Sequence, residues 1–511
     1  MRKWINKVWK WYHQQRYKDI QRFMEHPHEV QNSLLFRQLI QATKHTEWGR
    51  RYDYKSIKDY RTFAERVPVQ NYDSLKPYIK RMMYGEKDVL WSGQVRWFSK
   101  SSGTTGGKSK FIPVTRQNLK QCHIRGAWDT MSLFYHNRPD ANQFEYKSML
   151  MGGTIENFKP YPKTNYGDVS AIMIDHMPIV ARPFFTPDFK TALMANWEEK
   201  LERLATEAIK DPDIVMIGGV PTWTVMLFRR ILEMSGKSNM LEIWPKFQLY
   251  IHGGVSFEPY REQFKSFFPS EKVTYLEIYN ASEGYFSAQD DFSSNDMLLL
   301  LKNGMYYEFL PMSEWDKEYP KAIPLSEVET GVNYALVIST NSGLWRYMPG
   351  DTIMFTSTYP YKIKVTGRTK QFVNAFGEEV IVENTDKALA LTCQQMNAIV
   401  REYTVAPIYF KNADKGKGGH EWLIEFEKEP KSLQAFNQLL DKNLQQINSD
   451  YEAKRFKGIA LQQLSLRSVP QDTFYDWLRS KGKFGGQHKV PRLANHRQYV
   501  DEILDFMSDK V

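Results

Sequence analysis

Cysteine is nearly missing from this sequence: Cys122 and Cys393 are the only two among 511 residues, and neither stands in a C-x-x-C or C-x-x-H spacing. A disulfide framework and a cysteine-based zinc site are therefore not expected, and a reducing, cytoplasmic setting fits best. Long apolar runs are lacking too, and none approaches the roughly 20 residues that cross a bilayer as a helix. The amino-terminal stretch is not expected to be a signal peptide, because its apolar residues are spaced and never form an h-region. Internal repeats and low-complexity tracts are absent as well.

What is present is ample material for packed cores: 42% of the residues are hydrophobic and 14% aromatic, which excludes a disordered chain. The length favours two or more domains. The net charge is +10, but the first 24 residues hold seven basic residues against one acid, Asp19. Elsewhere acids and bases are interleaved, so no nucleic-acid footprint is expected. Within that basic stretch Trp4, Val8, Trp11 and Tyr12 recur at helical spacing. Such a helix either packs its apolar stripe on the body of the protein or lies on an anionic membrane surface; packing is the favoured expectation.

Residues 1 to about 90 read as mostly helical, with "VQNSLLFRQLIQATKHTEWG" ending at a glycine. From Val95 short apolar strands alternate with helical segments such as Thr191–Lys210 and Thr222–Met234, a pattern that favours α/β. A domain boundary is expected near "VTGRTKQ" (365–371), followed by about 140 residues with strands "APIYF" and "HEWLIEFE". Two Gly/Lys-rich stretches there, 412–420 and 479–492, read as loops.

The stretch "SKSSGTTGGKSKFIPVT" (99–115) comes within one glycine of a Walker phosphate loop. A Walker loop must run directly into a helix, whereas here Phe111, Ile112, Pro113 and Val114 follow, a strand signature. "QVRWFSK" before it alternates like a strand. The unit therefore reads strand–loop–strand, a Ser/Gly/Thr-rich hairpin whose backbone N–H groups can wrap phosphate oxygens, with Lys108 and Lys110 adding charge. Further on, "YNASEGY" (279–285) follows the apolar "VTYLEI", and "GLWRYMPGD" (343–351) precedes "TIMF". Taken singly, the first is a common cap or turn and Asp351 an ordinary turn aspartate.

"SSGTTGGKSK" with its following "FIPVT", "YNASEGY" and "GLWRYMPGD" resemble, in this order, the signatures of the auxin-responsive acyl acid amido synthetases of plants and their bacterial relatives. These form a branch of the acyl-adenylate-forming superfamily. The resemblance covers nearly the whole chain, from "HPHEVQ" to "KVPR", and its carboxy-terminal part diverges most. It implies an α/β fold with a large amino-terminal domain (1–367), sheets flanked by helices plus a β-barrel-like part, and a smaller mobile α+β lid (368–511).

ATP and Mg²⁺ are implied as cofactors. Ser101, Ser102, Gly103, Thr104, Thr105 and Lys110 would hold phosphate, Gly254 and Val255 would let backbone approach the base, and Tyr279 would stack on adenine. Ser282 would donate to phosphate or carboxylate, and Glu283 would be the Mg²⁺ ligand. Asp351 and Arg368 would hold ribose, Lys370 would mark the hinge, and Lys489 would be the mobile catalytic lysine, with Lys481 and Lys483 as rivals. Helical segments 117–140 and 220–235 would wall the acyl pocket, with Trp128 and Trp223 as candidates. The implied reaction activates a small carboxylic acid as an acyl adenylate and transfers it to an amine, an amino acid in this branch; an acyl-coenzyme A ligase with a thiol acceptor is the alternative.

Overall fold

Short polar residues in extended conformation start many of the helices. Asp59, Asn71, Asp188 and Asn196 each accept a hydrogen bond from the backbone N–H three residues on, at 2.8, 3.0, 2.8 and 3.0 Å. Asn196 explains a departure from the expected helix Thr191–Lys210. Two helices form instead, Phe189–Ala192 and Trp197–Lys210, because Asn196 leaves helical geometry to cap the second. The helix expected over Thr222–Met234 runs Pro221–Ser235, with proline in its first turn and Gly236 in the left-handed region at its end. Gly49 was expected to end a helix but lies within the helix Glu47–Arg51, where a Cβ would collide with the Thr43 carbonyl oxygen. It is needed for close approach, not for termination.

The computed structural model describes residues 2–101, 110–254, 257, 260–315, 317–369, 372–373, 378, 380–408, 418–455, 461–482 and 489–508. They form two units: the described residues within 1–254 and 267–365, and those within 255–266 and 366–511.

The first unit is built on a sheet of twelve strands. Phe185–Thr186, Lys147–Met149, Ile214–Gly219, Leu249–Gly253 and Thr274–Ala281 lie side by side in parallel. Thr274–Ala281 is where the sense changes, since its other edge pairs antiparallel with Gly284–Ala288. From there the sheet continues to the strands Asn333–Thr340 and Met305–Pro311 and ends at Ile323–Pro324. The barrel-like part implied by the resemblance is not closed among the described residues, where the antiparallel half is an open sheet. A second, four-stranded sheet contains Trp97–Lys100 and Phe111–Val114. The second unit has a three-stranded sheet, Ile399–Ile408, Gly419–Lys428 and Ser465–Val469, with helices such as Val382–Met396 and Leu433–Ile447. Gly419 and His420, expected in a loop, belong to its strand, and the preceding residues 409–417 lie outside the described ones.

The amino-terminal helix Arg2–Glu25 packs on the first unit, but not through the stripe read from sequence. Trp4, Val8 and Trp11 are 70%, 42% and 62% exposed. The buried face is Asn6, Trp9, His13, Arg16, Ile20 and Phe23. The Trp9 ring stacks 4.9 Å from Trp128 and 5.1 Å from Phe144, the His13 Nδ1 and Ser132 hydroxyl share a hydrogen bond at 2.8 Å, and Arg16 pairs with the buried Asp129 at 2.7 Å. Three polar residues on that face find buried partners, so it does not read as apolar. Trp128 is thereby part of an aromatic stack, and Trp223, 5% exposed, packs edge-on against Trp197.

Burial, aided by the Arg16 guanidinium, pushes the His13 imidazole down to about 3. Below an ordinary histidine value of about 6.5 the unfolded chain takes up a proton that the folded chain refuses, so stability falls as pH drops from there toward 3. Asp129, held up to about 6 by burial, works in the opposite sense over part of that range. His13→Asn is expected to remove about 2 kcal/mol of the acid-induced loss between neutral pH and pH of about 4.5, leaving the Asp129 contribution. Urea unfolding across that range checks it; an unchanged pH slope would show that His13 is charged in the folded protein.

Candidate active site

The two strands expected on either side of the loop in 99–115 are present. Trp97–Lys100 and Phe111–Val114 pair antiparallel with Lys100 opposite Phe111. Ser101 and Lys110 close the hairpin: the Ser101 N–H donates to the Lys110 carbonyl at 2.9 Å, and the Lys110 N–H to the Ser101 hydroxyl at 3.2 Å. The loop residues 102–109 between them, including Ser102, Gly103, Thr104 and Thr105, lie outside the described residues. Tyr72 braces the returning strand, its hydroxyl accepting from the Phe111 N–H at 2.8 Å while the Lys110 ammonium lies 5.7 Å from its ring. Thr115 then caps the next helix and donates to the Asn341 carbonyl at 2.7 Å, joining this hairpin to the loop that carries the third motif.

Ser282 and Glu283 form the tight turn between Thr274–Ala281 and Gly284–Ala288, where Ala281 pairs with Gly284. Both are mostly buried, at 8% and 7% exposed. Behind the turn there is no space: a Cβ on Gly284 would collide with the Met305 sulfur. Tyr347 donates its hydroxyl to Glu283 at 3.4 Å, and Tyr279 donates to Asp351 Oδ2 at 2.7 Å. One face of the Tyr279 ring is covered by Phe286, at 4.4 Å and nearly parallel. The second and third motifs, 72 residues apart at this bond, therefore converge.

The third motif is held by a residue that sequence reasoning passed over. Arg346 takes a positive φ of 42° and its guanidinium is clamped by the buried Glu308, with contacts of 2.8–3.1 Å. It also donates to the Ala64 and Val67 carbonyls at 2.8 and 2.6 Å, and Tyr60 donates to Glu308 at 2.9 Å. Glu308 sits in the middle of an otherwise apolar strand, "MYYEFLP"; that lone acid is the signal that could have found it. On either side of Arg346, Trp345 donates to the Leu90 carbonyl at 3.0 Å and Tyr347 is fully buried. Gly350, at φ 97°, makes the turn that starts the strand Asp351–Thr358.

In the segment expected to approach the base, a Cβ on Gly253 would collide with the Ile278 carbonyl oxygen, and Gly254 takes φ 83°. Val255 lies outside the described residues, as do Lys370 and Lys483. Arg368 ends the strand Tyr361–Arg368 and belongs to the second unit. Lys489 belongs there too and is half-buried. The residues after it are fixed: Pro491 accepts from the Thr404 hydroxyl at 2.6 Å, and the buried Arg492 pairs with Glu402 and donates to the Tyr260 hydroxyl at 2.9 Å. Burial pushes the Glu402 carboxyl up to about 7 against the pull of Arg492. The rival Lys481 is tied to Glu502 at 3.0 Å.

Among the described residues no group of three or more His, Cys, Asp or Glu gathers as a metal cage. A single carboxylate such as Glu283 fits Mg²⁺ in the manner of nucleotide sites, where phosphate and water complete the shell.

The GH3 family N-terminal domain matches residues 16–159 and 154–273, its central domain 298–368 and its C-terminal domain 383–498. The chain belongs to the GH3 family. It is 24% identical to the indole-3-acetic acid-amido synthetase GH3.3 of Arabidopsis thaliana, covering 92% of this chain and 90% of that protein. It is 23% identical to the jasmonoyl–L-amino acid synthetase JAR4 of Nicotiana attenuata, covering 93% and 92%. Its fold matches a solved GH3.15 acyl acid amido synthetase at a TM-score of 0.75, with 16% identity and 93% of each chain covered. A solved 2-hydroxyisobutyryl-CoA ligase matches at 0.61, with 13% identity over 94% of this chain and 92% of that one. The GH3 relatives are named as an amido synthetase of indole-3-acetic acid and a jasmonoyl–L-amino acid synthetase, and the α/β fold shared with the two solved structures is the one the resemblance implied.

Removing one partner of the Arg346–Glu308 pair leaves a buried charge uncompensated. Glu308→Ala is expected to cost about 3–5 kcal/mol, and the double variant Glu308→Leu/Arg346→Met to recover much of it. Equilibrium denaturation checks both; a loss under about 1 kcal/mol for Glu308→Ala would show that the pair contributes little.

Proposed function

We propose that this chain adenylates a carboxylic acid with ATP and passes the acyl group to an amino acid. In the first step a carboxylate oxygen of the acid attacks the α-phosphorus and pyrophosphate leaves. In the second the amine attacks the acyl carbonyl, an amide forms, AMP leaves and the amine proton passes to solvent or a base. The observation that carries this reading is the Tyr279–Asp351 hydrogen bond at 2.7 Å, which joins the second and third motifs beside the Ser282–Glu283 turn.

In this reading Ser101, Lys110 and the loop residues Ser102, Gly103, Thr104 and Thr105 hold the phosphates. Gly254, Val255 and Tyr279 flank the base, with Tyr279 backed on one face by Phe286. Asp351 accepts the ribose hydroxyls, a role suited to an acceptor-only group, and Arg368 adds a donor. Ser282 donates to phosphate or carboxylate. Glu283 would hold Mg²⁺, which supplies charge neutralisation at the phosphates when bound. Residues 368–511 act as a lid on 1–367 about Lys370, and Lys489 brings its ammonium to the charge that develops on the α-phosphate. The relatives' named products support an amino acid acceptor over a thiol.

A pyrophosphate-release screen over carboxylic acids, repeated with amino acids and with coenzyme A, tests the reaction. Acid-dependent pyrophosphate release with AMP and amide formed on adding amino acids is expected; thioester formation with coenzyme A in place of amide would make the chain an acyl-coenzyme A ligase. Asp351→Ala is expected to weaken ATP binding about tenfold or more by calorimetry, the scale of lost hydrogen bonds to a charged group. Lys489→Ala should slow acid-dependent pyrophosphate exchange by about 10²–10³ with nucleotide affinity nearly unchanged; normal exchange would remove Lys489 from the first step.

A further inference from the structure

The helix Arg2–Glu25 spends one face on the first unit and leaves the opposite face uncovered. Asn6, Trp9, His13, Ile20 and Phe23 point inward, while Trp4, Val8 and Trp11 stand one helical turn apart in solvent at 70%, 42% and 62% exposure. Two indoles on one exposed strip are costly to leave in water, and nothing in the adenylation chemistry uses them. The strip is also positively charged. Lys7, Lys18 and Arg22 are exposed along it, and the only acid on that face is Glu25 at its far end. The helix's other acid, Asp19, is already engaged by Arg125 and by Lys302.

We propose that this face docks the protein on an anionic lipid bilayer, with Trp4 and Trp11 seated among the headgroups and Lys7, Lys18 and Arg22 against lipid phosphates. Tryptophan favours the membrane–water boundary, where its ring is apolar and its N–H stays wet. A basic helix with one apolar strip lies in that plane, drawn by the negative surface potential. Charge complementarity selects this occupant: a second copy of the chain would set like-charged strips against each other.

Co-sedimentation with vesicles tests it, using phosphatidylcholine alone and roughly one part phosphatidylglycerol to two parts phosphatidylcholine. The protein is expected to pellet with the anionic vesicles at low salt and to be released at about 0.5 M salt. Trp4→Ser/Trp11→Ser and Lys7→Glu/Lys18→Glu should each cut the bound fraction by about tenfold. Acid-dependent pyrophosphate exchange should be unchanged in both, showing that they fold. No pelleting of the wild-type protein, or equal pelleting of the tryptophan variant, overturns the proposal. So does a dimer in analytical ultracentrifugation that Trp4→Ser/Trp11→Ser dissolves, because a second copy would then be the occupant.

Discussion

The buried Arg346–Glu308 pair is the constraint on which the site geometry rests. Arg346 would not hold φ 42° unaided, since a non-glycine residue gains nothing from that conformation. The carboxylate of Glu308 and two backbone carbonyls fix it there. With Arg346 fixed, its neighbour Tyr347 is aimed at Glu283, and the chain leaves through Gly350 with Asp351 against Tyr279. A buried ion pair that touches neither carboxylate thus sets where Glu283 and Asp351 lie. The arrangement trades stability for position: an apolar pair could fill the same volume but could not impose that backbone turn.

The sheet places the same turn from the other side. Thr274–Ala281 is parallel to one neighbour and antiparallel to the other. Its carboxyl end is therefore both the end of the parallel set, where α/β sheets bind ligands, and the start of a tight hairpin whose register shifts between Tyr285 and Ser287. Ser282 and Glu283 form the turn of that hairpin.

How much of this was legible in the sequence depends on the range of the interaction. The hairpin around 99–115 could be read because Pro113 and its β-branched neighbours exclude a helix locally. Glycines 253, 254 and 350 sit where the motifs need close approach or a left-handed turn. The Tyr279–Asp351 bond could not be read, because nothing in either motif names a partner so distant in the chain. Glu308 stood out as the lone acid of an apolar strand, but nothing there named Arg346 as its partner, and the buried face of the first helix was hidden because Asn6, His13 and Arg16 pair with residues more than a hundred positions away. The helix break at Asn196 was missed for the opposite reason: a local cap outweighed an unbroken periodic pattern.

The close packing behind the Ser282–Glu283 turn settles one more property, that of one of the chain's two thiols. Cys122 is fully buried there, its sulfur accepting the Tyr285 N–H at 3.2 Å, and burial pushes its thiol up to about 12. Cys393 in the second unit is pushed to about 12 as well. Burial therefore favours the protonated thiol at both positions near neutral pH.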